Sequence, residues 1–233
     1  MPAEFGFDSC NEVVRGRLPP YRARWDVIEC LKRPGGGNDS CRDDDTKAVL
    51  AGRGNGGERT LQWAALGTGY PLASRLGHGH LGLDIKWLSG TVYGSGEERF
   101  AVSSEDFVGR AVVALITNWE RYQGRYLRCC EAVSCVNGVV KALERAKDRE
   151  WTIVKVESEK CSEEAEKRLQ GGWPDAGMFL AERSLLCDER AWSGFWDDEE
   201  IVQELGVQSG DLDGILHGLL HEHKHQKGDC GCG

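Results

Sequence analysis

Six histidines and ten cysteines are the candidate reactive groups of this chain. Two of them fall in an order that suits nucleophilic catalysis. His80 opens the alternating segment HLGLDIKW, and Cys135 opens an apolar-periodic segment just after Ser134. A thiol at a helix N-terminus meets unpaired N–H groups and the positive end of the helix dipole, and both favour thiolate. An imidazole beside it would take the thiol proton and return it to a leaving group, as a cysteine nucleophile requires. His78 is a rival base two residues upstream. Cys129 and Cys130 are rival thiols, but they precede the helix and miss its dipole. The competing reading of Cys135 is a packed, inert thiol. It shares a helix side with Val139 and Leu143, and cysteine is among the most buried residue types.

A second constellation lies in the tail HGLLHEHKHQKGDCGCG. His217 and His221 are four apart and would share a helix face, and His223, His225, Cys230 and Cys232 follow closely. Imidazole and thiolate are ordinary zinc, copper(I) and nickel ligands, so zinc is the cofactor this tail would take. His221, Glu222 and His225 also satisfy H-E-x-x-H, with Glu222 as general base. That motif needs a rigid helix, and Gln226 to Asp229 should end any helix within a turn. A frayed terminal tail is the plain alternative.

These groups must be held by local elements. Trp25–Leu31 is a compact apolar segment read as a strand. Residues 33–60 hold seven glycines between Gly35 and Gly57 and read as a long loop. Within it GRGNGG has the glycine content of a phosphate loop, but no Lys-Ser/Thr follows. His80–Trp87 alternates with period two, a strand signature, and Thr91–Tyr93 with Arg99–Val102 flank a turn-like GSGEE as a hairpin. Ser103 and Ser104 are N-cap candidates for a helix over 105–117, with Glu105 and Asp106 where the dipole favours acids. A second helix should run from Cys135 to Arg149, with Val136, Val139, Val140 and Leu143 on one side. Trp151–Val156 alternates as a strand. Ser158–Leu169, Glu199–Leu205 and Leu212–His221 read as helices.

A strand beginning with His80, then a hairpin, a helix opening SSEDFVGRA, and Cys135 starting an amphipathic helix together resemble the circularly permuted papain-like (NlpC-type) thiol hydrolases. That group includes the LRAT-like acyltransferases and PPPDE-type isopeptidases. The matching residues are His80 in HGHLGLDI and Cys135 in YLRCCEAVSCVNGVVKAL, within residues 60–150. Ser134 stands where the group usually has Asn, and Leu81 where it often has an aromatic. Glu97 or Glu98 would have to stand in for its second polar residue. The resemblance implies a papain-like fold and attack of Cys135 on an ester, thioester or amide carbonyl, with His80 as base. That chemistry needs no cofactor.

The chain has 233 residues, 40% of them hydrophobic, and a formal charge of −9. No apolar run approaches the roughly 18 residues of a spanning helix. The acidic balance is a poor match to nucleic acid, which is held by neutralising phosphates. The start, MPAEFGFDSCNEVV, has no secretory signal pattern, so reduced thiols in the cytoplasm are expected. Residues 157–213 hold 16 acidic residues against 5 basic, and carry Trp173, Phe179, Trp192, Phe195 and Trp196. Those aromatics either cover the core or make a partner surface.

The expected fold class is α+β, with a small antiparallel sheet packed with helices. The expected organisation is an α+β core over 1–156 with a Gly-rich loop at 33–60, an acidic Trp-bearing extension over 157–216, and a His/Cys tail over 217–233. The leading function is a cysteine hydrolase or acyltransferase acting on acyl- or peptide-type substrates. The alternatives are an interaction protein using the acidic extension to bind a protein partner, and a metal-binding protein using the tail.

Overall fold

Helices form where capping and apolar spacing agree. In the computed structural model, which describes residues 3–32, 62–196 and 199–217, Ser104 Oγ accepts the Phe107 amide at 3.1 Å and starts α4. The elements before it are β1 (Ala3–Glu4), α1 (Glu12–Arg17), α2 (Pro19–Lys32), β2 (Ala65–Gly67), β3 (Tyr70–Pro71), α3 (Leu72–Gly77), β4 (Leu83–Asp84), β5 (Ser89–Tyr93) and β6 (Arg99–Ser103). Then come α4 (Glu105–Thr117), α5 (Trp119–Tyr122), β7 (Tyr126–Arg128), β8 (Ala132–Cys135), α6 (Val136–Lys147) and β9 (Thr152–Val156). The chain continues through α7 (Ser158–Gln170), α8 (Pro174–Leu186), a 3-10 turn (Glu189–Trp192), α9 (Ser193–Trp196) and α10 (Glu199–Glu204), and residues 212–217 are helical.

The expected helices over 105–117, 135–149 and 158–169 appear as α4, α6 and α7. In α6, Val136, Val139, Val140 and Leu143 are all buried. Each such side chain contributes about 1.5–3 kcal/mol of burial. Trp25–Leu31 is a correction: it lies inside α2, not in a strand. Tyr21 and Ile28 are buried seven residues apart with Trp25 between them, which is helical spacing, and Pro19 suits a first helical turn.

The sheet expectation also needs correcting. The α+β class stands, but among the described residues there is no single antiparallel sheet. Three small three-stranded sheets form, ordered β1-β2-β7, β3-β6-β8 and β4-β5-β9. Four of the six pairings are parallel, including all of the first sheet and the five-residue β5–β9 ladder from Ser89↔Thr152 to Tyr93↔Val156. Only β4–β5 and β6–β8 are antiparallel. Parallel neighbours need long crossovers, and here helices supply them. The expected hairpin does not form, because β5 and β6 join different sheets. The Glu98 carboxylate accepts from the Ser95 and Gly96 amides and turns the chain between them.

His80–Trp87 is likewise not one strand. Only Leu83 and Asp84 are extended, as β4. Gly79 (φ 72°) and Gly82 (φ 81°) occupy the left-handed region before it. After it, Asp84 Oδ1 accepts from the Lys86 and Trp87 amides and closes a turn. Trp87 therefore ends 73% exposed, while Leu81 and Leu83 are buried.

The principal core runs from Phe7 and Tyr70 through Phe100 to Val139, Leu185, Trp192 and Leu216. A second cluster packs Phe107, Ala111 and Leu115 of α4 against Leu127, Ile201 and Leu205. Of the aromatic residues expected beyond 157, Trp192 and Phe195 are core, whereas Trp173 is 70% exposed. Among the described residues no helix is long and apolar enough to cross a membrane.

Candidate functional site

Cys135 is the N-cap of α6, at the dipole's positive end as expected, and its thiol accepts the Gly138 amide at 3.3 Å. Its other partner is a carboxylate: Sγ lies 3.7 Å from Glu97 Oε2. Glu97 Oε1 also accepts from Asn137 Nδ2 at 2.7 Å. His80 contacts a different set of residues, and no hydrogen bond joins the two among those described. The thiol at position 135 therefore faces the Glu97 carboxyl group, and among the described residues no imidazole is hydrogen-bonded to it.

Of the rival thiols, Cys129 is quiet for a different reason, as is the further thiol Cys187. Burial pushes the Cys129 thiol up to about 12, with Cys130 adding to it. Burial, then the Glu98 carboxylate, pushes Cys187 up to about 12 as well. At pH 7 only about one in 10⁵ of such groups is thiolate. Mapping by mass spectrometry after brief neutral-pH iodoacetamide treatment should find Cys129 and Cys187 unmodified in the folded protein. Early labelling of either would contradict the burial. Cys130 and Cys135 are both partly exposed.

His80 belongs to a polar cluster that sequence spacing did not reveal. Its Nδ1 lies 3.2 Å from Glu182 Oε2, and Arg75 Nη1 is 3.5 Å from that same oxygen. Arg75 Nη1 also approaches His80 Nδ1 to 3.3 Å. A carboxylate only accepts and a guanidinium only donates, so Nδ1 cannot serve both. With the hydrogen on Nδ1, imidazole and guanidinium both donate to Glu182, and in the neutral ring Nε2 keeps its lone pair. The Phe179 ring sits edge-on to His80 with centroids 5.1 Å apart. Arg183 fixes the turn beneath, donating to Gly79 O at 2.9 Å, His80 O at 3.3 Å and Tyr93 Oη at 3.2 Å. The rival His78 gives its Nδ1 to Ser74 O at 2.6 Å.

The cluster continues inward. Tyr70 is 1% exposed, and its hydroxyl has no hydrogen-bond partner among the described residues. Burial, then the Glu182 carboxylate, raises its pKa, so it stays a neutral donor. Tyr21 is raised by burial too, and the Arg24 guanidinium lies 4.5 Å from its ring centroid. Arg24 Nη1 is buried without a hydrogen-bond partner among the described residues. Among the described residues Arg24 and Tyr70 thus each hold an unsatisfied buried donor, Arg24 beside Tyr21 and Tyr70 within the field of the Glu182 carboxylate.

The turn from β1 into α1 is built differently. Asp8 is 2% exposed and accepts from Arg128 Nε at 2.6 Å, Tyr126 Oη at 2.7 Å and the Cys10 amide at 2.8 Å. Asn11 Oδ1 caps α1 through the Val13 and Val14 amides. Of the tail ligands, only His217 lies among the described residues, where it is exposed. His221, His223, His225, Cys230 and Cys232 lie outside them, as does the whole Gly-rich segment 33–60. No group of three or more His, Cys, Asp or Glu converges as a metal site among the described residues.

No family model matches the chain. It is 24% identical over 96 residues to the oxidoreductase PoxI of Penicillium oxalicum, a stretch covering 40% of this chain and 31% of that protein. Its fold matches leucoanthocyanidin reductase bound to NADPH from Vitis vinifera (TM-score 0.52, 11% identity, 81% of this chain and 55% of that one). It also matches the NADPH-dependent quinone oxidoreductase QOR2 of Escherichia coli, solved with NADPH (TM-score 0.50, 13% identity, 77% and 58%). The chain spans about half the length of these solved structures and about a third of the curated relative.

The shared fold is thus Rossmann-like, and it overturns the papain-like resemblance. With that goes the cysteine hydrolase or acyltransferase acting on acyl or peptide substrates through Cys135 and His80. The alternatives of an interaction protein and a tail-based metal binder gain no support. The expectation that no cofactor is needed falls too, since both solved neighbours hold NADPH.

The described residues do not, however, fit that dinucleotide's phosphates. A phosphate cradle needs a glycine-rich turn leading from a strand into a helix. Gly77, Gly79 and Gly82 have the G-x-G-x-x-G spacing, but they follow α3 and lead into β4, the reverse order. Gly52, Gly54 and Gly57 have it as well, and lie outside the described residues. The β1–α1 turn has the right order, but Asp8 and Asn11 already occupy it.

Proposed function

We propose that this chain serves nicotinamide-dependent oxidoreduction of a small oxygenated aromatic substrate, a quinone or a polyphenol, by binding that substrate and handling its proton. The fold shared with NADPH-bound leucoanthocyanidin reductase over 81% of the chain carries this reading. The curated oxidoreductase relative and the quinone oxidoreductase point the same way. The dinucleotide's phosphates are left to residues outside the described set. On the substrate side, Arg24 Nη1 and the Tyr70 hydroxyl offer unpaired buried donors to an oxygen. His80, oriented through Nδ1 by Glu182, offers Nε2 to a proton.

Binding of a panel of quinones, catechol-type polyphenols and aliphatic ketones, followed by NMR line broadening, tests the reading. Saturable binding of an aromatic member is expected. Tyr70→Phe should weaken it about tenfold, the loss of one hydrogen bond. The same variant should stabilise the empty protein by about 1 kcal/mol, because it removes an unsatisfied buried hydroxyl. A variant more stable but poorer at binding is the signature of a group held for function. No aromatic ligand bound, or binding indifferent to Tyr70→Phe, sinks the proposal.

A further inference from the structure

Beyond β7 the fold leaves a cavity of about 520 Å³, within the range that holds small-molecule ligands. Its floor is the connection from β7 into β8, and its walls are α9, α10 and residues 209–212. The sheet sets its position. β2 and β7 run parallel, so their carboxyl ends lie side by side, and the Cys129 amide donates to Gly67 O at 2.9 Å where both strands stop. A Cβ added at Gly67 would lie 3.6 Å from Phe195 Cζ, so that lining ring packs against the end of β2. Open parallel sheets hold ligands in crevices at such ends.

Two kinds of surface line the cavity. Ala132, Val133, Phe195, Trp196, Val202 and Leu212 give it an apolar body, and Val133 is 48% exposed. Charge comes from Glu131 and Asp211: among the described residues that line it there is no Lys, Arg or His. Arg99 Cζ lies 5.5 Å from the Trp196 ring, but Arg99 is outside the lining set and pairs with Glu189. Glu131 is held firmly. Its Oε2 accepts from the Ser104 amide and hydroxyl at 2.8 and 2.6 Å, its amide donates to Ser103 Oγ at 3.0 Å, and its carbonyl takes the Gly210 amide at 3.0 Å. Asp211 Oδ1 accepts the Gly214 amide at 2.7 Å. Glu131 Oε1 and Asp211 Oδ2 take no hydrogen bond among the described residues. Two such carboxylates beside an aromatic wall suit an ammonium group: the oxygens take its hydrogens and the rings its charge. An anion would meet two like charges there.

We propose that this cavity binds a primary amine carried on an aromatic body, at a site separate from the His80 cluster. Phenethylamine, phenethyl alcohol and phenylpropionate share a shape and differ in charge, and each is titrated calorimetrically into the full chain at neutral pH. The amine should bind with a Kd below about 1 mM, the alcohol at least about tenfold more weakly, and the carboxylate not measurably. Val133→Lys, at an exposed strand position, supplies a resident cation and should abolish amine binding. Asp211→Asn, which keeps an oxygen for the Gly214 amide, should weaken it about tenfold. Tyr70→Phe should leave it unchanged, so failure here and failure of the oxidoreductase reading are told apart. No amine binding, binding no tighter than the alcohol's, or binding indifferent to both charge variants overturns the proposal. If Val133→Lys does not fold, Asp211→Asn alone decides.

Discussion

Asp8→Ala should lower the unfolding free energy by about 3–5 kcal/mol, the usual cost of removing one partner from a buried ion pair. Asp8 is 2% exposed, and its guanidinium partner Arg128 is itself mostly buried. One carboxylate serves three donors on two elements: Arg128 and Tyr126 of β7, and the Cys10 amide ahead of α1. Alanine removes the Asp8 carboxylate from a cation, a hydroxyl and an amide held in low dielectric. Proteins of this size hold only about 5–15 kcal/mol in all, so about a fifth or more of the stability is at stake. Urea unfolding should show a lower midpoint at an unchanged slope. Asp8→Asn should be milder at Tyr126 and Cys10, where an amide oxygen still accepts, yet costly at Arg128. A loss under 1 kcal/mol for alanine would mean that water enters the turn. The turn would then be open, and the argument that it excludes phosphate would fail with it.

What could be read from the sequence was what local chemistry decides. The Ser104 cap, the acidic first turn and the spacing of Phe107, Ala111 and Leu115 lie within a dozen residues, and α4 forms as expected. The position of Cys135 at a helix start was legible for the same reason. Its neighbours were not: Glu97 is 38 residues away and reaches the thiol only because β6 pairs with β8. His80 was found as a reactive group, but its partner Glu182 is 102 residues off on α8. Asp8 gave no signal, its partners lying 118 and 120 residues downstream. Period-two alternation at His80–Trp87 misled because two left-handed glycines and the Asp84 turn override it. Reading Thr91–Tyr93 and Arg99–Val102 as a hairpin hides the parallel pairing of the actual fold, since its partners are set by crossovers and not by adjacent residues.

Trp192→Ala should cost a further 3–5 kcal/mol or so, and it tests how the residues beyond 157 are joined to those before. The indole is fully buried and donates to Leu185 O at 3.2 Å. Its ring meets Phe7 at 4.7 Å, Phe100 at 5.9 Å, Phe195 at 6.0 Å and Tyr70 at 6.4 Å between centroids. Those partners come from the loop after β1, from β6, from α9 and from β3, so one side chain closes contacts over nearly the whole described chain. Truncation removes the transfer energy of a large aromatic and leaves a cavity that four rings from separate elements cannot easily fill. Unfolding should remain one transition by both far-ultraviolet circular dichroism and fluorescence, with its midpoint lowered in both. Separation into two transitions would show that the acidic segment folds apart from the rest. Loosening this aromatic cluster should also relax Tyr70, which packs on Trp192 and is the ligand donor of the proposed function, so aromatic-ligand binding should weaken alongside stability under that proposal. Trp192→Phe, which keeps an aromatic ring in the cluster, should recover most of both.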